Sequence, residues 1–280
     1  MPLVATGELL TSAGAAGQGV GAFNAICIEH AEAIAAGAEA AGLAAIIQIS
    51  ENAVRFHGGR LAPIADACAA VARGSEADLA LHLDHVESPD LLREAGTHPF
   101  GSVMVDASKL PYEANVELTR DAVLWAHARD LWVEAELGEV GGKDGAHAPG
   151  ARTDPQEAEQ FVKATGVDAL AVAVGSSHAM TSRTAVLDVT LIRRLHAAVP
   201  VPLVLHGSSG VADESLTEAV AAGIVKVNIG TALNIAFTEA VRQVLAADAE
   251  LVDPRRYLRP ARDAMADVVT SSLRALVPAA

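Results

Sequence analysis

The feature that most constrains this chain is a rhythm repeated eight times along its length. A short run rich in small and β-branched apolar residues gives way to a glycine or polar turn, and then to a helix-period pattern. The expected strands are Gly19–Phe23, Ala45–Ile49, Leu79–Leu83, Ser102–Val105, Trp132–Leu137, Ala169–Val174, Leu203–Leu205 and Lys226–Ile229. The clearest helical patterns are Glu29–Ala41, Ala62–Ala72, Glu113–Ala128, Pro155–Ala164, Leu187–Ala198, Asp213–Ala222 and Ala232–Ala247. One further helix, Ala5–Ala16, precedes the first strand, and another closes the chain after Pro260. Eight βα units in a single domain over residues 1–280 predict an α/β fold, a (β/α)8 TIM barrel with extra N-terminal and C-terminal helices. The alternative is a doubly wound open sheet. The first βα turn, Phe23-Asn24-Ala25-Ile26, lacks the glycine fingerprint of a dinucleotide fold and disfavours it.

Composition narrows the partners. The net charge of −15 argues against nucleic acid and against an anionic membrane surface. Only 3 % of the residues are aromatic, which does not suit an aromatic binding surface. No apolar run approaches the ~18 residues of a membrane helix, and Met1 to Leu10 has no basic patch ahead of an apolar stretch. Cys27 and Cys68 are too few for a disulfide scaffold and read as small buried thiols. The chain is expected to be cytoplasmic.

In such a barrel the chemistry sits at the C-terminal ends of the strands. This sequence puts Asn24, Ser50, Asp84-His85, Asp106, Glu134 with Glu136, Gly175-Ser176-Ser177-His178, His206 and Asn228 there. Polar or ionisable groups at almost every strand end mark that face as the site. Three of them, His85, His178 and His206, form a candidate Zn²⁺ set, since three imidazoles leave a coordination position open. His82 reads as a packing residue turned away from His85 by the pleat, and His30, His57, His98, His127, His147 and His196 read as structural or solvated. Gly207-Ser208-Ser209-Gly210 and Asn228-Ile229-Gly230-Thr231 open helices after the seventh and eighth strands, where backbone N–H groups make an anion nest. Lys226 is the lysine that could face the barrel interior, and it reads as a structural residue rather than as a Schiff-base one.

With these residues in hand, the sequence resembles the class II, metal-dependent ketose-bisphosphate aldolases over nearly its whole length. The resemblance rests on Ala22-Phe23-Asn24, Ile47-Gln48-Ile49-Ser50, His82-Leu83-Asp84-His85 and Val103-Met104-Val105-Asp106-Ala107-Ser108. Glu134-Ala135-Glu136-Leu137-Gly138, Leu205-His206-Gly207-Ser208-Ser209-Gly210, Asn228-x-x-Thr231 and Asp253-Pro254-Arg255 complete it. It implies a zinc aldolase that cleaves a ketose 1,6-bisphosphate or related phosphorylated sugar to dihydroxyacetone phosphate and an aldehyde.

The resemblance also implies roles. His85, His178 and His206 would hold zinc, with Glu136, Glu134 and Asp106 as supporting or alternate metal positions. Asp84 would be the acid/base. Asn228 would hold the dihydroxyacetone-phosphate portion, Ser209 and Thr231 its phosphate, and Asn24 and Ser50 would line the pocket. Gly207 would belong to the glycine turn that binds substrate and, through its carbonyl, a monovalent cation such as Na⁺ or K⁺. Gly138 to Arg152 reads as a lid, on which Asp144, or its rival Glu139, would shuttle a proton. Arg255 would bind substrate from a neighbouring subunit of a homodimer or homotetramer. The sugar stays open: fructose-type members carry aspartate and arginine at the positions of Gly230 and Asn234, tagatose-type members alanine and lysine, and this chain has neither pair. Ala179 stands where a glycine is usual. Other readings are an aldolase for a phosphorylated deoxy sugar acid, a non-catalytic stabilising subunit of an aldolase complex, and a metal hydrolase on the same barrel.

Overall fold

The computed structural model describes residues 3–137, 152–176 and 183–278. Its strands are β1 (Val20–Asn24), β2 (Ala45–Ser50), β3 (Leu79–Val86), β4 (Ser102–Val105), β5 (Trp132–Glu136), β6 (Ala169–Ala171), β7 (Leu203–Leu205) and β8 (Ile224–Ile229). They pair in parallel, each with its sequence neighbour, and β8 closes on β1. Around them lie α1 (Thr6–Ala15), α2 (Ile28–Ala41), α3 (Glu51–Phe56), α4 (Ala62–Gly74), α5 (Pro89–Ala95) and α6 (Tyr112–His127). They are followed by α7 (Pro155–Thr165), α8 (Val189–Ala198), α9 (Asp213–Ala222), α10 (Thr231–Ala247) and α11 (Arg255–Ala275). This is the expected (β/α)8 barrel with a helix added at each end. None of the described helices is long and apolar enough to cross a membrane.

The strand pleat sorts the side chains into two layers. Phe23, Ile47, Ile49, Leu81, Leu83, Val103 and Val133 point outward into the main core beneath the helices. The inward rows begin with small or apolar residues: Val20 and Ala22, Ile46, Ala80, Met104, Ala169 and Ala171, Val204. One pleat repeat further along, these rows turn polar: Asn24, Gln48, His82, Asp106, His206. The barrel is therefore filled at its N-terminal end and chemically equipped at its C-terminal end.

Helix α1 closes the filled end. Leu10 joins the inner apolar cluster, and Ser102 Oγ donates to Thr6 Oγ1 at 3.0 Å. Local signals fix the other helices. Ser50, Ser88, Asp154 and Asp188 accept backbone N–H groups at the starts of α3, α5, α7 and α8. Gly42 and Gly166 end α2 and α7 in the left-handed region.

Two expectations needed correction. The last helix begins at Arg255, before Pro260, which lies inside it on the exposed side. Beyond its own missing N–H bond, proline there meets solvent rather than a packed neighbour. The sixth strand stops at Ala171 rather than Val174, although Val172 N still donates to Val204 O at 3.1 Å.

Candidate active site

Consecutive residues of a strand normally face opposite sides, so Asp84 and His85 should diverge. They do not. His85 has φ of 51°, and the β3–β4 register slips between Leu83 and Val86. The left-handed residue turns the imidazole back to the side of Asp84, at a backbone cost on the order of 1 kcal/mol. His85 Nε2 then lies 3.7 Å from Asp84 Oδ2. The His85 and His206 rings meet edge to face, with centroids 4.9 Å apart. Asp84, His85 and His206 each offer a ligand atom within 4.8 Å of the others.

Carboxylates orient both rings. Asp106 Oδ2 is 2.7 Å from His85 Nδ1, and Ser108 Oγ donates to the other Asp106 oxygen at 2.6 Å. Glu134 Oε1 is 2.9 Å from His206 Nε2, while His206 Nδ1 stands 4.0 Å from Glu136 Oε2. One nitrogen tied to a carboxylate, which fixes tautomer and ring angle, is how metal-ligating histidines are held. Asp84 Oδ1 is buried with no hydrogen-bond partner among the described residues, a costly state for a carboxylate oxygen unless a cation answers it. The donor set of imidazole nitrogens and carboxylate oxygens therefore fits a divalent metal. His178 and Asp144 lie outside the described residues.

Electrostatics keep Asp84 ionised. Burial would raise its pKa. His85, His82, Lys226 and His206 together outweigh burial and hold it well below the usual carboxylate range. Gln48 Nε2 donates to Asp84 Oδ2 at 3.0 Å and lies 3.2 Å from Asn24 Oδ1. Beneath them, Lys226 Nζ donates to Glu134 Oε2 at 2.7 Å, inside the barrel and out of water. Burial pushes Glu134 up, but Lys226 and His206 bring it down to about 2. The Lys226 amine is thus engaged with Glu134 in the buried barrel interior, as its structural reading expects.

Asn24, Ser50, Asp84, His85, Gly207, Ser209, Asn228 and Thr231 line one cavity of about 330 Å³ at the C-terminal end of the barrel. Ser50 serves twice, lining the cavity and capping α3 through its side chain. Gly207 turns the chain in the left-handed region, with φ of 68°. Ala232 N donates to Ser209 Oγ at 3.2 Å, which ties the turn after β7 to the first turn of α10. Arg255 is the exception. It sits exposed at the start of α11, its guanidinium on both oxygens of Asp253, and does not line the cavity of its own chain.

The family model described as fructose-bisphosphate aldolase class-II matches residues 4–279. The chain belongs to the class II fructose-bisphosphate aldolase family. This aldolase is thus a carbon–carbon lyase, of a family that is metal-dependent and works on phosphorylated sugars. It is 29 % identical to the YdjI aldolase from Escherichia coli K12, over 98 % of this chain and 97 % of that one, with a TM-score of 0.83. It shares its fold with fructose-bisphosphate aldolase from Campylobacter jejuni, at a TM-score of 0.84 and 22 % identity over 98 % and 95 % of the two chains.

Gln48 is the site residue that sequence reasoning passed over. Its signal was present: an amide between Ile47 and Ile49, on the inward row of a strand. The Lys226–Glu134 pair gave no such signal, because its partners are 92 residues apart.

Proposed function

We propose that this aldolase holds one Zn²⁺ on His85, His206 and His178 and reversibly cleaves a ketose 1,6-bisphosphate or a related phosphorylated sugar to dihydroxyacetone phosphate and an aldehyde. The observation that carries the reading is the convergence of Asp84, His85 and His206 beside the anion-binding turns at Gly207 and Thr231.

When bound, the metal supplies a Lewis acid for the substrate carbonyl and for the negative charge that cleavage leaves behind. The chain's residues do the rest. Asp84, ionised at neutral pH, takes the proton of the C4 hydroxyl as the C3–C4 bond breaks. Gln48 fixes its carboxylate, so the base is aimed before the sugar arrives. Backbone N–H groups at Gly207 and at the start of α10, with Ser209 and Thr231, hold the phosphate; Asn228 and Asn24 hold hydroxyls. This is how an acidic chain binds an anion: with local dipoles rather than net charge. Asp144 of the lid remains the proposed proton shuttle, and a monovalent cation near the Gly207 turn remains part of the reading.

Helix α10 supports self-association, as a homodimer or homotetramer. Leu233 is its only buried residue, while Ile235 and Leu245 are exposed.

Asp84→Ala tests the mechanism. Dihydroxyacetone phosphate release should fall by about 10²–10⁴-fold, with zinc still bound by elemental analysis. Full activity in that variant would contradict the role of Asp84.

A further inference from the structure

We infer that Glu51 is a positioning residue for the metal centre: its buried carboxylate holds the strand end that follows His85, and so keeps His85 in the left-handed turn that aims its imidazole. The inference rests on the metal-dependent aldolase reading above and extends it to a residue outside the cavity.

His85 needs such support. Its φ of 51° is unfavourable for a residue with a Cβ, and a conformation of that kind persists only where the surroundings enforce it. The neighbouring strands let go at this point. Strand β2 ends at Ser50, paired with Asp84, while β3 runs on to Val86. On the other side the β3–β4 register slips between Leu83 and Val86. Beyond the slip, Asp106 N donates to Val86 O at 3.0 Å and resumes the ladder.

Glu51 supplies the hold on the β2 side. It is the first residue of α3, directly after Ser50, and is 8 % exposed. Its Oε2 accepts from Glu87 N at 2.8 Å and from Ser88 N at 3.1 Å. Where the β2 backbone turns away into α3, the next side chain thus takes up the pairing with the continuation of β3. Two N–H groups converging on one carboxylate oxygen make a strong clamp, two and three residues after His85. The same bonds seat Ser88, whose Oγ caps α5 by accepting from Leu91 N at 3.3 Å. The other oxygen, Oε1, is held by Arg55 Nη2 at 2.5 Å, one turn along α3. The carboxylate is therefore fixed by its own helix while it grips the neighbouring strand. Ser50 and Asn52 line the cavity and Glu51 does not, so its effect on the site passes through the backbone at residues 85–88.

The test is a Zn²⁺ competition titration of the full chain, with Co²⁺ spectra of the same proteins as a readout of ligand geometry. Glu51→Ala removes the clamp. Glu51→Asp keeps the charge but falls one methylene short of the two N–H groups. Both should lower metal affinity by roughly 10–100-fold and shift the visible Co²⁺ bands. Glu51→Gln, which keeps an acceptor in place, should restore affinity to within about threefold of the wild type. Arg55→Ala leaves the clamp intact and should bind metal as the wild type does. Gly37→Ala crowds α2 against α11 away from the cavity, and should lower stability without moving affinity or spectrum. If Glu51→Ala does not fold, Glu51→Asp decides. Wild-type affinity and spectrum in Glu51→Asp would overturn the inference and leave the aldolase standing. An equal loss of affinity in Gly37→Ala would overturn it too, since general destabilisation would then suffice. A wild-type chain that binds no Zn²⁺ would overturn the metal-dependent reading itself, and this inference with it.

Discussion

A carboxylate that must act as a base inside a barrel needs neighbours that favour its charge and leave it open to substrate. Asp84 has both: Gln48 donates to one oxygen, and His82 stands 3.7 Å from the other. The Lys226–Glu134–His206 chain does the same for a ligand histidine. Lys226→Met would leave Glu134 buried without its cation, a loss of about 3–5 kcal/mol, and would loosen His206, weakening metal affinity by roughly 10–100-fold. Chemical denaturation and a metal-competition titration read the two effects, and wild-type values in both would contradict this role. Acid acts through the same groups. Glu134 has its pKa lowered from 4.5 to about 2, so the unfolded chain binds its proton first. Its stabilisation is full above pH 4.5 and is lost as the pH falls toward 2. His30 and His82 are lowered from 6.5 by burial, Lys226 adding to the effect at His82, so they too favour folding less as the pH drops below 6.5. Denaturation of the metal-free protein should therefore show stability falling steadily from neutral pH into acid. A flat profile would contradict it. At this scale the strand pleat makes much of the site legible from sequence: Asp106, Glu136, His206 and Asn228 follow from inward parity. The side taken by His85 does not, because it depends on one left-handed φ.

The helices are legible for a different reason. Their apolar period and end signals are local, so α9 has the expected bounds, Asp213–Ala222, and α2, α4, α6, α7 and α10 fall within two residues of theirs. The short helices α3 and α5 carry too few turns to show a period and escape notice, although both have serine caps. What sequence cannot give is which helices meet. Helix α11 returns to pack on α2 and α10, and Gly37 is the point of closest approach. A Cβ there would lie 2.6 Å from Val269 Cβ and 2.7 Å from Ala266 O. Thr270 Oγ1 donates to Gly37 O at 3.1 Å across the same contact. Gly37→Ala should therefore destabilise the fold by about 1–3 kcal/mol despite its better helix propensity. An unchanged or raised melting temperature would mean that α11 is not seated as described.

On the scale of the whole molecule, the barrel divides its labour along one axis. Its N-terminal end is plugged by α1 and filled with alanine, valine and methionine. Its C-terminal end gathers the polar ends of the strands into one cavity. Burial stabilises the first, and the second places charges where water alone would not hold them together. The central claim is that this end works as a metal-dependent aldolase, and one measurement tests it most directly: dihydroxyacetone phosphate release from a panel of ketose phosphates, with and without a chelator, alongside metal content per chain. The account predicts release from at least one sugar that stops on chelation and returns with Zn²⁺. Release indifferent to chelation, or none from any sugar with one zinc per chain, would contradict it.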